Sequence, residues 1–262
     1  WEDIGGNFGE HPGHIDQDPI AAAEAMQQLI ELGYIEDPGD NKQEAFEKAK
    51  RHLRYNLSRV FKGQHKYEQA IEILEDKNNY LYNIDLINLY YLTDRYDKSL
   101  DQIQFFLQQG KENSKLASVK LLEAKVLLKK GLAGQSLGIL EQLAIDKPKT
   151  LGVHLELGKA YMDTLNYPKS EACYRNCLNI DHENARAFNG LAHACLKQEK
   201  YEEAAENAIK SVELIFHYPL SHYILGQALL QLGAVNEAIN AFEISVSQSK
   251  KFKKAIKALI HL

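Results

Sequence analysis

Long apolar runs are missing from this 262-residue sequence. Its hydrophobic stretches are a few residues each, far short of the ~20 that a membrane-spanning helix needs, so no such span is expected. No secretory leader is visible either. The chain opens Trp1-Glu2-Asp3 without an initiator Met, which points to a processed protein or a piece of a longer one. Cysteine is scarce. Cys173, Cys177 and Cys195 are odd in number and include no C-x-x-C pair, which excludes full internal disulfide pairing and speaks against a zinc ribbon. Cys173 and Cys177 stand one helical turn apart and read as compact hydrophobic residues of a buried face. Strong charge of one sign is also lacking. The net charge of −5 divides into 12 acids against Lys42, Lys48 and Lys50 in residues 1–50, and 28 Lys and Arg against 24 acids in residues 51–262. Neither region carries the basic field of a nucleic-acid binder, so no nucleic-acid partner is expected.

Catalytic signatures are absent as well. There is no P-loop, no G-x-G-x-x-G following a strand and no G-x-S-x-G. The one suggestive pair, His193 and Cys195, is two residues apart on a helical pattern. Such side chains diverge by about 200°, so the two cannot act together. No catalytic residue, metal site or cofactor is assigned. His154 and His222 occupy equivalent positions in the repeat pattern and read as packing residues.

What is present is a repeat. Sliding the sequence by 34 residues aligns Ala124, Gly158, Ala192 and Gly226, all small. Three positions on stand Leu127, Tyr161, Cys195 and Leu229; nine further come Ser136, Ser170, Ala204 and Ala238; four further come Leu140, Tyr174, Ala208 and Phe242. Apolar spacing of i, i+3, i+4, i+7 within each unit predicts two amphipathic helices. Turn residues fall at Lys130-Gly131, Leu165-Asn166, Glu199-Lys200 and Leu232-Gly233. Two earlier, less regular units carry Ser58 and Ile87 in the small-residue column, at offsets of 29 and then 37 to Ala124. The polar insert Gly110-Lys111-Glu112-Asn113-Ser114 absorbs part of that change. Bulky Ile87 and charged Glu123 depart from the pattern.

Leu157-Gly158 with Tyr161, Leu225-Gly226, the phrases Tyr67-Glu68-Gln69-Ala70 and Tyr201-Glu202-Glu203-Ala204, and Pro148 at a unit's end resemble the tetratricopeptide repeat. The resemblance implies an all-α, right-handed superhelical solenoid of antiparallel helix pairs. Six repeats are expected at about 51–79, 80–116, 117–150, 151–184, 185–218 and 219–252, followed by a basic capping helix over 253–262.

Residues 1–50 read as a separate region. Asp18-Pro19 is a helix start, Gly33 a helix stop, Pro38-Gly39 a turn, and 41–62 a long helix leading into the first repeat. Trp1-Glu2-Asp3-Ile4, Gly9-Glu10-His11 and the run from Ala25-Met26-Gln27-Gln28 to Gly33-Tyr34-Ile35 resemble the closing stretch of type I phosphodiesterase/nucleotide pyrophosphatase enzymes, some of which continue into tetratricopeptide repeats. That resemblance implies a metal-dependent hydrolase whose nucleophile and most metal ligands lie upstream of Trp1. His11, His14, Asp16 and Asp18 have ligand chemistry, but Asp18 serves as a helix cap and the others read as solvated side chains.

First helices of a right-handed stack line its concave side, and the residue after the small column points into it. That column reads Arg59, Asn88, Lys125, Lys159, His193 and Gln227, flanked by Arg186, Asn189 and Tyr223, with Tyr55 and Tyr91 at the other end. Cationic and amide side chains in such a row suit a peptide backbone or carboxylate. Some clamp-type members of the resembled family hold a partner's C-terminal carboxylate with Lys and Asn on successive first helices, a pattern not reproduced in full here. The expected function is a non-catalytic protein- or peptide-binding scaffold with a partner that is acidic or carboxylate-bearing. Two other readings remain open: the C-terminal arm of an upstream phosphodiesterase, and a self-association module forming a homo-oligomer through exposed solenoid ends. Free thiols lean toward a cytoplasmic location, whereas hydrolases of the second resembled family are often exported, which would place the chain in the periplasm or outside the cell.

Overall fold

A computed structural model describes Gln28 and residues 42–75, 83–108 and 115–261. The hydrolase-like segment of residues 1–35, the His11–Asp18 cluster, the Pro38 turn and the Gly110 insert lie outside the described residues, apart from helical Gln28. All regular structure among the described residues is α-helical. In chain order the helices are α1 (Lys42–Gly63), α2 (Tyr67–Leu74), α3 (Asn83–Leu92), α4 (Tyr96–Gln108), α5 (Leu116–Lys129), α6 (Ala133–Asp146), α7 (Leu151–Asp163), α8 (Tyr167–Ile180), α9 (Ala185–Lys197), α10 (Tyr201–Leu214), α11 (Pro219–Gln231), α12 (Val235–Gln248) and α13 (Lys253–Ile260). They fall into pairs of a first and a second helix. The chain divides into two compact units, residues 1–89 and 90–262.

One turn joins the two helices of every pair. His65, Asp94, Gly131, Leu165, Glu199 and Gly233 all adopt positive φ, between 58° and 81°. The next residue's amide reaches back to a carbonyl five positions upstream: Lys66 to Phe61, Arg95 to Tyr90, Leu132 to Leu127, Asn166 to Tyr161, Lys200 to Cys195 and Ala234 to Leu229, at 2.8 to 3.0 Å. This is the Schellman arrangement, which satisfies carbonyls left open at a helix end. Its register runs 29, 37, 34, 34 and 34 residues, so the irregular offsets of the early units and the regular ones of the later units share a single turn geometry.

In the first unit α1 packs on α2, with Ala70, Ile71 and Leu74 buried. Ile87, the bulky member of the small-residue column, is wholly buried. Lys62 Nζ lies 3.4 Å from Asp85 Oδ1.

In the second unit each helix from α5 to α13 packs on the next, and the first helices α5, α7, α9 and α11 also touch one another in succession. Two columns of side-chain hydrogen bonds fix these contacts. Ser136 and Ser170 donate to the carbonyls of Ala124 and Gly158, at 2.9 and 2.8 Å. Ser211 and Ser245 donate to the carbonyls of Ala185 and Pro219, at 2.9 and 2.7 Å. A short hydroxyl here ties a second helix to its neighbour without holding the backbones apart. His154 and His222 share a further role: Nε2–H donates to the Pro148 carbonyl at 2.7 Å and the Phe216 carbonyl at 2.9 Å, each six residues upstream. A carbonyl only accepts, so Nε2 carries the proton in both rings.

Glycine and aromatic residues are matched across the helix pairs. A Cβ added to Gly158 would stand 2.8 Å from the Tyr174 ring, at Gly190 2.3 Å from the same ring, and at Gly226 2.6 Å from the Phe242 ring. Where the small residue is Ala, the side chain opposite is aliphatic: Ala124 shares a cluster with Leu140, and Ala192 with Ala208. α13, the expected capping helix, begins 34 residues after α11 and packs on α12. Its Ala255 is buried and Lys253, Lys254 and Lys257 are exposed.

Candidate peptide-binding face

The expected groove residues are divided between the two compact units. Arg59 and Asn88 belong to the first unit. Arg59 is exposed, its guanidinium 5.9 Å from the Tyr55 ring centroid, and Asn88 Nδ2 donates to the Ile84 carbonyl within its own helix at 2.9 Å.

In the second unit the other expected residues separate into three groups. Lys125 Nζ on α5 and Arg186 Nη2 on α9 both stand 3.9 Å from one oxygen, Oε1 of Glu156 on α7. The Glu156 side chain is 12% exposed, that of Lys125 33% and that of Arg186 66%, so a sheltered acid holds two accessible cations from the neighbouring helices. Tyr91 belongs to the same neighbourhood: burial raises its phenol pKa first, Glu156 raises it further, and Arg186 lowers it. Tyr218 is raised by burial and lowered by Arg186. Lys159, half-buried, lies near Asp163 one turn on; burial raises the Asp163 pKa and Lys159 opposes it.

Further along, His193 is not a cation at neutral pH. Burial, with Lys197 and Lys254 nearby, pushes it down to about 4. Burial raises the Tyr223 phenol pKa and neighbouring Gln227 opposes the rise, while the Tyr223 ring packs 5.8 Å from Phe242 and 5.3 Å from Phe252. Asn189 is directed inward, where its Nδ2 donates to Ser221 Oγ at 2.8 Å, and Ser221 in turn lies 2.7 Å from Ser211 Oγ. The accessible charge is therefore centred on Lys125, Lys159 and Arg186.

Glu156 did not stand out in the sequence because the column was read one residue per helix. It precedes Lys159 by three positions, the spacing that places two side chains on one helix face, and that spacing is the signal that could have found it.

Glu171, Cys195 and Glu203 bring potential metal ligand atoms within 4.8 Å of one another. Their donors are already engaged: Glu171 accepts from Lys200 at 2.8 Å, from Arg175 Nη2 at 2.8 Å and from Gln198 at 2.6 Å, while Arg175 also meets Glu203. This chemistry is that of an ion-pair brace between α8, α9 and α10. The Cys195 thiol is driven up to about 12, foremost by burial, and points to these acids rather than to His193. A cleft of about 250 Å³ between α5 and α6 is lined by Lys120, Glu123, Ile139 and Asp146 among others.

The repeated turn, the matched small and large columns and the stacked helix pairs meet in residues 155–213, which match the tetratricopeptide repeat family model. The helix pairs of this stretch are similar to tetratricopeptide repeats. No curated protein matches the chain in sequence. Among solved structures, the thermophilic tetratricopeptide repeat protein TTC0263 of Thermus thermophilus is similar with a TM-score of 0.58 and 16% identity, over 70% of this chain and 97% of that one. YrrB, a tetratricopeptide repeat protein with an unusual peptide-binding site, has a TM-score of 0.53 and 14% identity, over 73% of this chain and 96% of its own. The Cut9–Hcn1 hetero-tetramer of the APC/C has a TM-score of 0.71 and 12% identity, over 91% of this chain and 45% of the matched one. At these identities the likeness is one of fold: an all-α solenoid of stacked helix pairs.

Proposed function

We propose that this chain is a non-catalytic scaffold that binds an acidic segment of a protein or peptide along the first-helix face of its second unit. The observation that carries the reading is the placement of Lys125, Lys159 and Arg186 on three successive, mutually packed first helices, with two of them drawn together by Glu156. Lys125 and Lys159 stand one repeat apart and Arg186 lies near the start of the next first helix, so donors are spaced along the row, which suits an extended backbone with acidic side chains. Arginine adds a planar fork of N–H groups that matches a carboxylate. Half-buried Tyr91 and Tyr218 beside Arg186 supply flat apolar surface for the partner's neighbouring side chains. The neighbour YrrB has a peptide-binding site on the same architecture, which agrees with this reading.

The test is titration of fluorescein-labelled hexaglutamate, followed by anisotropy, against the wild type and a Lys125→Glu/Lys159→Glu variant. Severalfold weaker binding by the variant is expected. Equal binding would move the site elsewhere.

A further inference from the structure

We propose that Glu156 is an internal carboxylate that occupies the seat an acidic side chain of the partner would take, and so sets both the affinity and the charge selectivity of this face. The inference rests on the peptide-binding reading above and deepens it.

Both cations approach the same oxygen, Glu156 Oε1, and both stop at 3.9 Å. That distance is within Coulombic reach and well beyond the 2.7–3.2 Å of an N–H···O hydrogen bond. Neither the Lys125 nor the Arg186 side chain hydrogen-bonds a described residue, so their donors are gathered by charge and left unspent. The contrast within the same unit is Glu171, whose carboxylate takes Lys200, Arg175 and Gln198 at 2.6 to 2.8 Å and forms a closed brace. Glu156 holds its cations loosely, and an incoming carboxylate with room to orient can offer them shorter bonds.

Burial makes this arrangement directional. Glu156 is set back at 12% exposure while Arg186 stands forward at 66%. A ligand therefore meets the guanidinium first and the internal acid from behind. The cluster of Lys125, Arg186 and Glu156 carries a net charge of +1, which matches one carboxylate and opposes a dense acidic tract. Replacing Glu156 by Gln keeps the shape and raises the net charge to +2. The same site then favours closely spaced acids, and its affinity becomes more sensitive to salt.

The experiment uses the full chain and labelled hexaglutamate at low ionic strength. Glu156→Gln is expected to bind about fivefold tighter than the wild type, with a steeper loss of affinity as salt is added. Arg186 supplies the control: Arg186→Gln, at an exposed position, is expected to bind more weakly than the wild type, and Glu156→Gln/Arg186→Gln, whose cluster again carries +1, to bind no tighter than the wild type. Glu156→Gln binding no tighter than the wild type, while Lys125→Glu/Lys159→Glu still loses affinity, overturns the role of Glu156 and leaves the binding face in place. Unchanged binding by Lys125→Glu/Lys159→Glu overturns the face itself. A double variant that binds tighter than the wild type, with which it shares a cluster charge of +1, also overturns the inference.

Discussion

Phe242 lies against Gly226 so closely that a Cβ on the glycine would stand 2.6 Å from its ring. The ring is fully buried, so it has no space to yield. Gly226→Ala gains about 1 kcal/mol of helix propensity. Overpacking a closed site costs about 1–3 kcal/mol and wins. Chemical denaturation is expected to show net destabilisation of Gly226→Ala, and a double-mutant cycle with Phe242→Leu to show favourable coupling, because an aliphatic side chain faces Ala elsewhere in the array.

Removing a hydroxyl from the serine column has a smaller effect. Ser170 donates to the buried Gly158 carbonyl at 2.8 Å, yet that carbonyl can also accept within its helix. Ala204 and Ala238 fill the equivalent positions in the next two repeats. Ser170→Ala is expected to cost about 1 kcal/mol in urea denaturation, near the net worth of one hydrogen bond.

The brace at Glu171 gives stability a defined pH dependence. Burial alone would raise this carboxyl, but hydrogen bonds from Lys200, Arg175 and Gln198 outweigh it and bring the pKa to about 2. A folded-state pKa below the unfolded value of about 4.3 stabilises the fold above that pH, and the contribution is lost as pH falls toward 2. The stability difference between the wild type and Glu171→Gln is expected to be about 1–2 kcal/mol at neutral pH, discounted for the exposed cations, and to shrink between about pH 4.5 and 2. Denaturation at a series of pH values measures that window.

The three thiols should be inert in the folded chain. Burial pushes Cys173 up to about 11 and Cys177 and Cys195 up to about 12. Thiolate is the reactive form, so 5,5′-dithiobis(2-nitrobenzoate) at about pH 8 is expected to leave native protein unmodified over minutes and to titrate three thiols in guanidinium.

Much of the fold was legible in the sequence because a repeat states its packing rule several times. The column Ala124, Gly158, Ala192 and Gly226 and the column Leu140, Tyr174, Ala208 and Phe242 were both visible. Their coupling was not, since it depends on which side chain meets which across two helices. Gly190 escaped notice for the same reason: it sits outside the repeated column and makes room for Tyr174 from the following first helix. The turn at residues 65, 94, 131, 165, 199 and 233 absorbs the irregular offsets without changing shape, although four of the six lack glycine. On the proposed binding face, the position after each small residue was readable, but burial was not. Asn189 turns inward to Ser221, His193 loses its charge to burial and nearby lysines, and Glu156 gathers two cations from one turn away.

The binding face is most directly tested by amide chemical-shift perturbation in the isotopically labelled chain as hexaglutamate is added. Perturbations clustered on α5, α7 and α9, around Lys125, Glu156, Lys159 and Arg186, are the expected result. Perturbations confined to the second helices α6, α8 and α10, or none at saturating peptide, would contradict it.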